Sequence, residues 1–168
     1  FLGALVLLEV LGPVGQLLAK EGYNVWAKEQ IRFLHSKVQR DAYNPKLRVL
    51  MANAYYKDGQ NIRAEKHLLK ALELQPGFAE AHCNLGVILQ AQSRLTEAKH
   101  HYQKALEADS IMVEALAGLG TLLCRTSQQK KGFALLEKAL LLDPERSNAR
   151  FNLAVAYHKT EDYLKAAS

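Results

Sequence analysis

The residues able to do chemistry are few, and their spacing does not suit it. Cys83 and Cys124 could in principle bind zinc, pair or act as nucleophiles. They are the chain's two cysteines, too far apart for a zinc-ligand spacing and too few for a disulfide framework. Both fall on helical stretches, where a free cysteine serves as a small apolar residue. His67, His100 and His101 could ligate a metal. Adjacent histidines on a helix point in different directions, however, and no i, i+4 histidine or cysteine accompanies them. No glycine-rich phosphate loop follows a strand pattern, and no strand pattern is evident. A nucleophile elbow and a paired-carboxylate constellation are both missing. The expectation is a protein that is not an enzyme and has no metal and no cofactor.

Charge narrows the field further. The formal net charge is +5 over 168 residues, but it is concentrated in one place. Residues 20–48 carry Lys20, Lys28, Arg32, Lys37, Arg40, Lys46 and Arg48 against Glu21, Glu29 and Asp41. The 120 residues that follow are nearly neutral, with 15 basic and 13 acidic side chains. Nucleic-acid binders gather positive charge on the binding element, so no nucleic-acid partner is expected for this body.

The positions that organise the chain repeat every 34 residues. Small residues recur at Ala52, Gly86, Gly120 and Ala154, and again at Ala64, Ala98, Gly132 and Ala166. Ala71, Ala105 and Ala139 keep the same interval. Large apolar residues keep step with them: Met51, Leu85, Leu119 and Leu153, then Tyr55, Leu89, Leu123 and Tyr157, then Leu68, Tyr102 and Leu136. Within one unit, Met51, Ala52 and Tyr55 make one helical stripe, and Ala64, Leu68, Ala71 and Leu72 make a second. Asp58-Gly59 supplies the turn between them, and Gln75-Pro76-Gly77 ends the second helix. Small residues at fixed positions let two helix backbones approach closely. No unit can bury its stripes alone, so neighbours must stack.

A helix-turn-helix of 34 residues with this small, Tyr/Leu, Ala, aromatic, Ala, Pro spacing resembles the tetratricopeptide repeat. The resemblance covers residues 45–168, with repeats at 45–78, 79–112 and 113–146 and a partial one at 147–168. One departure is the family's large aromatic early in the first helix, replaced here by Arg48, His82, Leu116 and Arg150, which is expected to weaken packing there. The fold that the resemblance implies is all-α, a right-handed α-solenoid whose first helices line a concave groove for a protein or peptide partner. Carried over position by position, the groove would be lined by Val49, Leu50, Asn53, Tyr56 and Lys57 in the first repeat. Cys83, Asn84, Val87 and Gln90 follow in the second, then Ala117, Gly118, Thr121 and Cys124, then Phe151, Asn152, Val155 and His158. Some members grip a terminal carboxylate with a Lys/Arg/Asn clamp. The corresponding positions here are Val49, Asn53, Asn84, Glu114 and Gly118, which lack the paired cations a carboxylate needs. Others carry a ladder of asparagines, which Asn84 and Asn152 fit but Leu50 and Gly118 break.

Residues 1–19, FLGALVLLEVLGPVGQLLA, depart from the repeat. Eleven of them are Phe, Leu or Val, with Glu9 the one charge. As a helix they would extend roughly 28 Å, close to the hydrocarbon thickness of a bilayer. Tyr23 and Trp26 follow where an aromatic belt would lie, and then comes the basic stretch. The expectation is an N-terminal apolar transmembrane anchor over 1–19, with membrane or membrane-protein contact through residues 1–26. Residues 20–44 would hold a basic amphipathic helix capping the solenoid, with Ala27, Ile31, Leu34 and Val38 on one side. Since positive flanks stay inside, the solenoid would be cytoplasmic and the protein a single-pass membrane-associated scaffold. The rival readings are the non-catalytic tail of a larger membrane enzyme such as a glycosyltransferase, and an integral subunit of a membrane protein complex.

Overall fold

The computed structural model describes residues 25–126, 128–145, 150–151 and 153–155. The apolar stretch 1–19 lies outside them, as do Asn152 and His158. Every regular element among the described residues is a helix. None of these helices is long and apolar enough to cross a membrane. We label them α1 (residues 25–40), α2 (Pro45–Lys57), α3 (Asn61–Leu74), α4 (Ala79–Ala91), α5 (Leu95–Ala108), α6 (Val113–Leu123) and α7 (Gln129–Leu142). Helix resumes at residues 150–151 and 153–155. Two compact units result, Phe1–Leu74 and Gln75–Ser168.

Local chemistry sets the helix ends. Asn44 caps α2: its side-chain oxygen accepts from the Lys46 and Leu47 amides at 3.1 and 3.3 Å, and Pro45 takes the first helical position, where no amide is needed. The turn from α2 to α3 needs a left-handed residue, and Gly59 provides it at φ 76°. One repeat later the same turn is made by Ser93 at φ 62°, a conformation costlier for a residue with a Cβ. The two turns bond alike: Gln60 N donates to Tyr55 O and Arg94 N to Leu89 O, both at 2.9 Å.

In the first unit, α2 and α3 pack through Met51, Ala52, Tyr55, Ala64, Leu68 and Ala71, all buried. The inner side of α1 presents Ala27, Leu34 and Val38, buried as well, with Ile31 half-buried. In the second unit, α4 pairs with α5 and α6 with α7, while α6 also packs on α5 and touches α4. Leu116, Ala117, Leu136 and Ala139 form a core closed by Leu106, Val113, Leu135, Leu140 and Leu153. Burying one such leucine stabilises by roughly 1.5–3 kcal/mol.

The replaced aromatic position does more than leave a weak spot. In three of four repeats its side chain reaches back six residues to a carbonyl in the preceding loop. Arg48 Nη2 donates to Ala42 O at 3.1 Å, His82 Nε2 bonds Pro76 O at 2.9 Å, and Arg150 Nη2 donates to Pro144 O at 2.5 Å. Leu116 cannot donate and is instead buried in the core. The carbonyl six residues before it, Ser110 O, takes its hydrogen bond from Lys138 Nζ of α7 at 3.0 Å. Substituting polar residues for an aromatic thus exchanges packing area for loop closure, and each loop carbonyl stays satisfied.

Candidate functional site

The face expected to meet a partner is built differently in the two units. In the first, Leu50 and Tyr56 are exposed and Asn53 is half-buried. Lys57 stands 4.8 Å over the Trp26 ring of α1, a cation–π contact. Trp26 of α1 thus touches the last turn of α2 and stays partly exposed. Val49, expected in the groove, is 1% exposed. Val49 and Ala54 are buried together with Met51, Ala52 and Tyr55, so the covered arc of α2 is wider than one stripe.

In the second unit, Asn84, Val87 and Gln90 of α4 and Gly118 and Thr121 of α6 are half-buried along helices that touch one another. Cys83 and Ala117, also expected at the surface, are buried in the core. Cys124 caps α6, and burial pushes its thiol pKa up, so it is a poor nucleophile. Phe151 and Val155 are exposed. Behind this face lies Tyr102 of α5, 2% exposed. An added Cβ on Gly86 would sit 2.7 Å from the Tyr102 ring, and one on Gly118 2.5 Å from it. The ring therefore fills the seam between α4 and α6, and its hydroxyl donates to Gln90 Oε1 at 3.0 Å. That bond orients the Gln90 amide and leaves its NH2 for a partner. The Thr121 hydroxyl is turned back to Ala117 O at 2.7 Å. Gly118 interrupts the asparagine ladder because the Tyr102 ring occupies the space an asparagine would need.

Sequence reasoning missed a pair of histidines. His82 of α4 and His101 of α5 stack with ring centroids 5.2 Å apart, and their Nδ1 atoms lie 3.0 Å from each other. A carbonyl can only accept, so neutral His82 donates from Nε2 to Pro76 O, and its Nδ1 accepts from the Nδ1–H of His101. His100 lies edge-on to His101 at 5.4 Å. The signal was available: His82 precedes His101 by 19 residues, the offset that faces a first helix onto its second in this repeat. No group of three metal-capable side chains occurs among the described residues.

Burial, with the nearby His82 and His100, holds the His101 pKa down at about 4. His82 is lowered too, mainly by burial. In the first unit, burial and then Arg48, His35 and Lys66 hold His67 at about 4. Unfolding returns each ring to the ordinary value of 6.5. Between pH 6.5 and about 4 the unfolded chain therefore takes up protons that the folded chain refuses, and stability falls as pH falls through that window. Above 6.5 the full contribution is present. We expect a loss on the order of 1–2 kcal/mol each from His67 and His101, a figure discounted for the solvent these rings still touch. Thermal melts at pH 7.5 and 4.5 check this, and equal midpoints would exclude it.

Tetratricopeptide-repeat family profiles match residues 52–93, 79–110 and 134–168, more than half the chain. No curated protein matches it. Among solved structures, MamA from Desulfovibrio magneticus RS-1 is similar with a TM-score of 0.72 and 24% identity, covering 84% of this chain and 80% of that one. Another MamA crystal structure gives 0.70 and 21%, covering 82% and 80%. A mutant of Thermobaculum terrenum O-GlcNAc transferase gives 0.65 and 26%. It covers 71% of this chain, which spans only 23% of that enzyme's.

Proposed function

Because the chain belongs to the tetratricopeptide-repeat family, we propose that it is a non-catalytic scaffold that holds a protein partner on the α4/α6 face. The observation that carries this is an uncharged strip, Asn84, Val87 and Gln90, rigidly backed by the buried Tyr102. Amide groups bond a peptide backbone whatever its side chains, and Val87 adds an apolar contact. The occupant is an extended segment or helix of another protein rather than a charged tail. In the first unit Leu50, Asn53 and Tyr56 offer a similar mixture of apolar and amide surface.

The apolar stretch 1–19 is read as the element that holds this scaffold at a membrane, or against a membrane-protein complex, with the repeats on the cytoplasmic side. A second reading is favoured by the likeness to O-GlcNAc transferase: the repeats would be the substrate-presenting, non-catalytic segment of a larger glycosyltransferase. In both readings the α4/α6 face binds protein. Asn84→Ala is expected to weaken a captured partner about 5- to 20-fold, the loss of one or two hydrogen bonds. A calorimetric titration of that partner, with circular dichroism confirming unchanged helicity, tests this; equal affinity would remove the partner from this face.

A further inference from the structure

The first unit contains a cavity of about 520 Å³ where α1, α2 and α3 meet. Five of its lining residues are basic or can become so: His35 from α1, Arg48 from α2, and Arg63, Lys66 and His67 from α3. No carboxylate lines it. Two of the polar atoms are buried without any hydrogen-bond partner, Arg48 Nε and His67 Nδ1. Buried donors are almost always satisfied, and an orphan costs as much as a lost hydrogen bond. Arg48 is held in place through Nη2 on the Ala42 carbonyl, so its guanidinium cannot swing out to water without breaking that bond. The Tyr55 ring supports the rest of the cluster, with His67 stacked on it at 5.4 Å and Arg63 at 5.8 Å. Clustered cations beside these two unpartnered nitrogens suit an anion, which attracts the charges and accepts from Arg48 Nε and from His67 once Nδ1 carries its proton.

We propose that this cavity binds a phosphate group, supplied as inorganic phosphate or as a phosphate monoester. The cations define the class. Arg48, Arg63 and Lys66 set three cations around the cavity, more than a singly charged carboxylate would match. A tetrahedral dianion accepts from several directions, which suits donors arriving from three helices. The cavity's lining residues all belong to the first unit and share none with the α4/α6 face. The low pKa of His67 agrees with the geometry: burial lowers it most, Arg48, His35 and Lys66 add to that, and no acid among the cavity's lining residues offsets them.

The test uses the 168-residue chain with imidazole NMR and thermal melts, in sodium phosphate, O-phosphoserine, acetate or chloride at matched ionic strength. Bound phosphate would raise the pKa of His67 by at least about one unit and the melting midpoint by about 3 °C over chloride. Acetate would do neither. A response to O-phosphoserine alone assigns the site to monoesters, and a response to both assigns it to the phosphate group itself; either supports the proposal. Lys66→Gln, at an exposed position, is expected to weaken binding at least about tenfold with unchanged helicity, and Arg48→Gln more. Should Arg48→Gln fail to fold, the Lys66 variant and the wild-type anion comparison still decide. The proposal is overturned if neither phosphate source moves His67 beyond chloride, if acetate equals phosphate, or if Lys66→Gln binds as the parent does.

Discussion

Tyr102→Ala lowers the unfolding free energy by about 3–5 kcal/mol, the usual range for removing a large buried aromatic. The two residues that face the ring most closely cannot refill the space. The ring lies against Gly86 on one helix and Gly118 on another, and neither has a side chain to move inward. The loss also strips the hydroxyl bond from Gln90, so the amide that the α4/α6 face presents is no longer oriented. Stability and partner binding should therefore fall together. Tyr102→Phe separates the two effects. It keeps the ring and deletes only the hydroxyl, so it is expected to cost about 1 kcal/mol while still loosening Gln90. Urea denaturation followed by helicity measures both variants. A Tyr102→Ala loss under about 1 kcal/mol would mean that the ring does not fill this seam.

Gly132→Ala is the second large effect, and the repeat pattern argues against it. The equivalent positions, Ala64 and Ala98, are alanines, both fully buried. By register an alanine should fit, and alanine is also the better helix former by roughly 1 kcal/mol. In the structure, a Cβ on Gly132 would lie 2.6 Å from the Cys124 amide nitrogen, 2.6 Å from its sulfur and 2.8 Å from Gly120 O. Two of those atoms are backbone, which cannot rotate away. Helices α6 and α7 would have to separate along the core of Leu116, Leu136 and Ala139. The net cost is expected to be about 2–3 kcal/mol after the gain in helix propensity. Gly77→Ala is the control, since nothing lies within 4 Å of its added methyl; it should change stability by less than about 0.5 kcal/mol. If the two variants melted alike, the close approach of α6 and α7 would be wrong.

Acid sensitivity and the cavity cations meet at His67, whose pKa is lowered first by burial and then by Arg48. Folding brings Arg48 there from nineteen positions away, beside the sequence neighbour Lys66. A bound phosphate would offset that crowding, so low pH and phosphate should act in opposite directions on the first unit.

The amino-acid sequence by itself determined the helix pairs and their faces. A 34-residue period carrying Ala52, Gly86 and Gly120 beside Met51, Leu85 and Leu119 can bury its apolar stripes in few ways, and short polar turns leave helix pairs as the natural solution. Asn53, Tyr56, Asn84, Val87 and Thr121, named by carrying the family's groove positions onto this sequence, are partly open in the structure. Tertiary structure decided how closely the helices approach and which polar atoms find partners. Val49 disappears from the surface because the buried arc of α2 extends beyond its Met51 stripe. Gly132 tolerates no methyl although Ala98 occupies the same register. His82 lies 3.0 Å from His101, and Arg48 and His67 line one cavity; their shared 19-residue offset tells which helix faces which, and only the fold sets the distance. Periodicity reports direction around a helix axis; distances between axes depend on the side chains of both partners at once, and on those the chemistry of this protein rests.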